Sequence, residues 1–97
     1  MNLNFYFNYS EKNTLIYSIE EAVKWFQDNR PNKKGDYKGC LFKDIDAVDD
    51  IYILYHFFLH NGTPIVDGSM PLFVTYTNSL SEVLIYQFGE HALIVFK

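Results

Sequence analysis

The start of the chain alternates between apolar and polar positions. The odd positions of residues 3–9 are Leu, Phe, Phe and Tyr, and the even positions are Asn, Tyr and Asn. A period of two is typical of a strand with one buried face. The polar residues 10–13 indicate a turn, and residues 14–17 a short returning strand. The pattern therefore predicts an N-terminal β-hairpin.

A helix is predicted from Ser18 onward. Ser18 and Glu21 have the spacing of a capping box, in which each side chain accepts a hydrogen bond from the other residue's backbone N–H. The apolar residues of this segment recur at helical spacing, at Ile19, Ala22, Val23 and Phe26. The helix has to end before Pro31, because proline pushes the preceding residue out of the helical region.

The middle of the chain predicts a loop and then a second helix. Residues 29–39 contain Pro, Asn and two Gly, which indicates a surface loop. Residues 46–60 fit both the period of a helix and the period of a strand. The length of this run favours a helix, because strands are usually shorter. Asp46 is then a suitable N-cap, and Gly62 occupies the position of a C-terminal cap.

The last part of the chain has the pattern of strands. Three strands are predicted over 72–77, 82–88 and 92–96, with turns between them. We expect them to form a three-stranded antiparallel meander that joins the N-terminal hairpin in one sheet. With two helices packed on that antiparallel sheet, the predicted fold class is a small α+β two-layer domain.

Composition indicates one folded domain. The chain has 97 residues, of which 48% are hydrophobic and 19% aromatic, and this is too apolar for intrinsic disorder. Its length fits a single domain over residues 1–97 and leaves no room for a cofactor domain joined to a substrate domain. Cys40 is the single cysteine, so a disulfide-stapled fold is excluded.

A cytoplasmic location is expected from three features. The first residues lack the basic segment and the continuous apolar segment of a signal peptide. The longest apolar stretch, residues 51–59, is too short to cross a bilayer, so we expect no membrane partner. A lone thiol also favours a reducing compartment.

Charge is distributed unevenly, although the net charge is only −4. Residues 28–43 contain five basic and two acidic residues, a local charge of +3. Residues 44–50 contain no basic residue and four acidic ones, which are Asp44, Asp46, Asp49 and Asp50. A basic face large enough for phosphates is missing, so we expect no binding to nucleic acid.

The four aspartates have two interpretations. Acidic residues at a helix start interact favourably with the helix dipole, and one of them can serve as the cap. Four of them within seven residues repel one another, however, and such an anionic surface can recognise a basic partner protein. Tyr52, Tyr55 and Tyr37 would supply aromatic anchors beside it. The four aspartates, Tyr52 and Tyr37 are therefore the candidate partner-binding residues.

Candidate catalytic and metal-binding residues are few. His56 and His60 are four residues apart, which on a helix is a metal-ligand spacing. No Cys pair or adjacent Glu supports them, so we expect no metal and no other cofactor. The five glycines form no phosphate loop, and no nucleophile motif is present. We therefore expect that the protein is not an enzyme.

These observations favour a binding protein. The preferred hypothesis is a small acidic module that masks a basic site on a partner such as a toxin or nuclease, in the manner of bacterial immunity proteins, antitoxins or phage-encoded inhibitors. The alternative is a homo-oligomeric structural or small-ligand-binding domain, because aromatics such as Phe57, Tyr76 and Tyr86 exceed the needs of a core. Its dimer would use a sheet face or residues 92–96. A His-dependent metal protein is the third hypothesis.

Overall fold

The computed structural model describes residues 9–96 as two helices and six strands. In chain order they are β1 (Tyr9–Tyr17), α1 (Ile19–Asn29), β2 (Tyr37–Asp46), β3 (Ile51–His60), β4 (Thr63–Ile65), β5 (Leu72–Leu80), α2 (Glu82–Phe88) and β6 (Leu93–Phe96). In these residues no helix is long and apolar enough to cross a membrane.

All six strands belong to one mixed sheet with the order β1-β5-β3-β2-β6, and β4 pairs with the end of β3. The pair β1 and β5 is parallel, whereas β3 pairs in antiparallel fashion with β2, β4 and β5, and β2 with β6. Strands β2 and β3 are the longest pair, with ten residues in register from Tyr37 opposite His60 to Asp46 opposite Ile51. The predicted α+β class is confirmed, but the sheet is mixed and not antiparallel throughout.

Both helices pack on the same side of the sheet. Helix α1 buries Ala22 and Phe26, and α2 buries Leu84 and Phe88. These side chains share one core cluster with residues from four strands, namely Tyr17, Leu41, Leu54, Phe58 and Leu80. We call this side of the sheet the helix side and the opposite side the outer face.

Helix α1 was predicted correctly, and its cap is the reason. The Ser18 hydroxyl accepts a hydrogen bond from the Glu21 N–H at 3.3 Å, and the Glu21 carboxylate accepts one from the Ser18 N–H at 3.0 Å. This reciprocal pair satisfies backbone donors that the first helical turn leaves without partners. The helix ends at Asn29, before Pro31.

The predicted N-terminal hairpin is wrong where the structure describes it. Residues 10–13, expected to form a turn, lie within the continuous strand β1. That strand pairs with β5 and runs parallel to it, with Tyr9 opposite Leu72. The first strand of the predicted hairpin, apart from Tyr9, lies outside the described residues.

The predicted second helix over residues 46–60 is also wrong. Its C-terminal ten residues form β3, and residues 47–50 form the turn that connects β2 to β3. Asp50 has a φ of 54°, a left-handed conformation that reverses the chain there. The β-branched and aromatic residues of β3 fit a pleated, half-buried surface better than they fit a helix.

The middle strand of the predicted meander is a helix. Residues 82–88 form α2, which buries Leu84 and Phe88, four residues apart, on one face. The Ser81 hydroxyl caps it by accepting a hydrogen bond from the Leu84 N–H at 3.3 Å. The flanking strands were predicted correctly, since 72–77 lies within β5 and 92–96 contains β6.

Strand β2 begins inside the predicted loop, and Gly39 explains the error. A Cβ atom at this position would lie 2.5 Å from Cδ1 of Phe26, because the Phe26 ring rests directly on the β2 backbone. Glycine is therefore required here for close packing of α1 on the strand and not for a turn.

Candidate functional site

The outer face of the sheet carries large apolar and aromatic side chains. Neighbouring residues of a strand point to opposite sides, so each residue next to a helix-side position belongs to the outer face. The registers place these outer residues side by side across β6, β2, β3 and β5 as Leu93, Val95, Phe42, Ile53, Tyr55, Phe57 and Tyr76. Both helices of the described chain lie on the other side.

Among the apolar outer-face residues of β2, β3, β5 and β6, the most exposed lie on β2 and β6. Phe42 is 38% exposed, Leu93 is 46% exposed and Val95 is 43% exposed. The three residues are neighbours, because Phe42 pairs with Leu93 and Val95 follows two positions later on the same side. Contiguous exposed apolar side chains of this kind mark an interaction surface more often than isolated ones do.

Cys40 lies between these residues, but it is buried. Burial raises the pKa of the Cys40 thiol to about 11, so the thiol stays protonated at neutral pH. The thiolate is the reactive form of cysteine, and Cys40 is therefore a packing residue and not a nucleophile.

The four aspartates lie together at one end of the outer face, in the segment 44–50 that we call the acidic turn. One Asp46 carboxylate oxygen accepts hydrogen bonds from the Val48 N–H at 3.0 Å and the Asp49 N–H at 3.3 Å. Asp46 therefore shapes the turn, and it does not cap a helix as predicted. Asp49 and Asp50 are exposed.

Asp44 joins the acidic turn to the aromatic part of the outer face. It pairs with Ile53, and the Tyr55 ring beyond it lies 6.0 Å from the ring of Phe42. Burial and then the negative charge of Asp44 raise the pKa of the Tyr55 hydroxyl. The Asp44 carboxylate is therefore near enough to Tyr55 to disfavour a second negative charge there.

Two of the predicted anchors do not belong to this site. Tyr52 is on the helix side, where it packs against the core cluster. Tyr37 is at the opposite end of β2 from Asp46, about 30 Å away along a strand of this length. Its ring stacks on His60, with centroids 4.5 Å apart. The third predicted anchor, Tyr55, does lie on the outer face near Asp44, and Phe42 lies beside it.

The two histidines do not form a metal site. On a strand, His56 and His60 lie about 13 Å apart, too far to share an ion. His56 is fully buried, with Nδ1 3.2 Å from the Phe73 carbonyl and Nε2 2.6 Å from the Tyr17 hydroxyl. Within the described residues, no group of three metal-binding side chains comes together.

The hydrogen bonds of His56 determine which of its ring nitrogens carries the proton. A carbonyl can only accept, so Nδ1 carries the proton and donates it to Phe73, and Nε2 accepts from the Tyr17 hydroxyl. Burial lowers the pKa of His56 to about 4 and raises that of Tyr17. Both groups are therefore neutral at physiological pH, which suits a core position better than ligand binding by His56 itself.

The sequence contained a signal for the outer face that was missed. Residues 51–60 are apolar or aromatic at nearly every position, whereas a strand covered on one side alone usually alternates with polar residues. Such a run indicates a strand with apolar surroundings on both sides.

Comparisons of the chain with protein-family models, curated proteins and solved structures found no match.

Proposed function

We propose that this chain is a non-enzymatic protein-binding domain that uses the outer face and the acidic turn to cover a basic surface of another protein. The observation that carries the proposal is the exposed apolar group Phe42, Leu93 and Val95 on the same face as Asp44. An apolar centre beside a charged margin is the usual composition of a protein interface.

The two parts of the site have different roles in this proposal. The apolar group contributes affinity, since its side chains leave water on binding. Asp44, Asp49 and Asp50 attract a basic partner over a distance and speed its association. An arginine or lysine of the partner that reached Tyr55 would contact an aromatic ring and the Asp44 carboxylate at the same time.

The biological role that fits this mechanism is masking. A partner that binds nucleic acid or another polyanion needs a basic cleft, and an acidic domain seated over the cleft blocks it. Immunity proteins, antitoxins and phage-encoded inhibitors of toxins or nucleases act in this way, and we propose that the chain is one of these.

Charge reversal at Asp44 tests the proposal. The wild type, Asp44→Lys and Phe42→Ser are each immobilised and incubated with a native extract at low and at high salt. The proteins that each of them captures are then compared. A set of basic proteins that the wild type retains and both variants lose by at least tenfold supports the outer face.

The matched control is Glu90→Lys, which makes the same charge change at an exposed position in the turn after α2. It should retain the captured set. If Asp44→Lys and Phe42→Ser retain the same proteins as Glu90→Lys does, the outer face is not the binding surface.

A second copy of the chain is the other candidate for the outer face. Leu93 and Val95 lie on the short strand β6, at an edge of the described sheet, and two such strands could pair across a twofold axis. Sedimentation equilibrium between micromolar and millimolar concentrations tests this. A wild-type dimer that Leu93→Asp dissociates supports self-association, and a monomer throughout rejects it.

A further inference from the structure

A cleft of about 300 Å³ opens on the helix side, between strand β1 and helix α1. The sheet separates this cleft from the outer face. The volume is at the lower end of the range for small-molecule sites, so the cleft suits a ligand with a single ring.

Aromatic side chains form the floor of this cleft. The rings of Trp25 and Phe73 are nearly parallel, with an angle of 14° and centroids 5.6 Å apart. Tyr17 lines the floor as well, and its hydroxyl is already engaged with His56. Trp25 and Phe73 stack on each other, so each covers one ring face of the other, and their remaining, half-buried surface favours an aromatic group packed against it.

A buried hydroxyl lies next to the floor. Thr75 pairs with Lys12 across β1 and β5, and Phe73 is two residues away on the same side of β5. Its Oγ1 is fully buried, and its polar neighbour is the Tyr17 hydroxyl, which is also engaged with His56.

The rim of the cleft carries two pairs of opposite charges. Lys12 Nζ lies 3.6 Å from the Glu21 carboxylate, and Lys24 Nζ lies 2.7 Å from that of Asp28. Lys24 and Asp28 are well exposed to solvent, so their pair contributes little and can be exchanged for a ligand at small cost. Glu21 is half-buried, and its carboxylate also accepts the Ser18 N–H, so it is held in place at the rim. The rim offers ammonium and carboxylate groups in equal number.

We propose that the cleft binds a free aromatic α-amino acid. The aromatic floor recognises the ring, the ammonium groups of the rim recognise the ligand carboxylate, and the carboxylates of the rim recognise its amino group. Because the rim has no net charge, it favours a zwitterion over a ligand that carries only one of the two charges. This site is independent of the protein-binding function proposed for the outer face.

The fluorescence of Trp25 tests the proposal directly, because Trp25 is the only tryptophan of the chain and lies in the floor. L-Phenylalanine is titrated into the full-length protein with excitation of tryptophan alone. We expect a saturable change with a Kd on the order of 1 mM, as suits a ligand of this size. 3-Phenylpropanoate and 2-phenylethylamine, each lacking one charge, should bind about tenfold more weakly.

Variants of the rim identify the charged groups that bind the ligand. Lys24→Gln and Asp28→Asn should each weaken L-phenylalanine binding about tenfold, while circular dichroism confirms that they fold. The matched control is Lys38→Gln, which breaks the exposed pair of Lys38 with Asp36 away from the cleft and should bind as the wild type does. No saturable change up to about 20 mM, or equal binding of the three compounds, would overturn the proposal.

Discussion

The helix side and the outer face of the sheet carry similar residues but are covered differently. Leu41 and Phe42 are neighbours on β2, and Leu41 is fully buried under the helices whereas Phe42 is exposed. Residue type does not distinguish the two sides, because both are rich in leucine and phenylalanine. The difference lies in the helices, which pack on the helix side. Cys40 and Val74 are buried on the outer face all the same, and it is the exposed group Phe42, Leu93 and Val95 that is available for another molecule.

The largest test of this comparison is a pair of leucine substitutions. Leu54 on the helix side is fully buried, and Leu93 on the outer face is nearly half exposed. We expect Leu54→Ala to lower the free energy of unfolding by about 3 kcal/mol, through lost burial and a cavity. Leu93→Ala should lower it by less than about 1 kcal/mol. Urea unfolding of both variants measures this, and similar losses would contradict the division into two sides.

A second test uses pH and concerns only the helix side. Unfolded histidine has a pKa of about 6.5, whereas native His56 has a pKa of about 4. Between these values the unfolded chain binds a proton that the native protein does not, so stability falls as the pH decreases. The difference amounts to roughly 3 kcal/mol between pH 6.5 and pH 4.

The measurement compares urea unfolding at pH 7 and pH 4.5 for the wild type, His56→Gln and His91→Asn. Between pH 7 and pH 4.5, the wild type and His91→Asn should lose the same amount of stability, and His56→Gln should lose less. An equal loss in all three proteins would show that other groups cause the acid sensitivity.

The smallest expected effect concerns the contact between α1 and β2. Gly39→Ala places a methyl group 2.5 Å from the Phe26 ring, so the ring or the strand has to shift. We expect a loss of about 2 kcal/mol in the free energy of unfolding. Gly62→Ala is the control for the loss of a glycine, since nothing lies within 4 Å of its added Cβ, although its φ of 82° carries its own strain. Adding Phe26→Leu to Gly39→Ala should recover part of the lost free energy of unfolding. A double variant with the same loss as Gly39→Ala would rule out the ring contact as the cause.

Local signals explain what could be predicted from the sequence. The capping box of Ser18 and Glu21 acts within four residues, and helix α1 forms where it was predicted. The acidic turn was also recognised as a charged segment, and three of its four aspartates are exposed. Both features depend on neighbours in the sequence, and the binding role of the aspartates stays a prediction.

Features that depend on distant contacts were not predictable in the same way. Gly39 resembles a loop residue until Phe26 is known to rest on it. The run 51–60 fits two periods, and its pairing with β2 and β5 decides for a strand. Tyr52 and Tyr37 are close to the aspartates in sequence, but the pleat and the length of β2 place them elsewhere. Phe42 was not chosen, since only the register brings it to the same face as Asp44, whereas Tyr55 was named as an aromatic anchor and does lie there.

The parallel pair of β1 and β5 has a consequence for the synthesis of the protein. The paired residues of β1 each lie opposite a residue 63 positions later, as Tyr9 lies opposite Leu72. A ribosome that adds about 5–20 residues per second needs several seconds to complete β5 after β1 has emerged. During that time β1 has no access to its sheet partner, and its unpaired backbone N–H and C=O groups can pair with other chains. The newly made chain is therefore most prone to misassembly before β5 is complete, and folding has to wait for its last third.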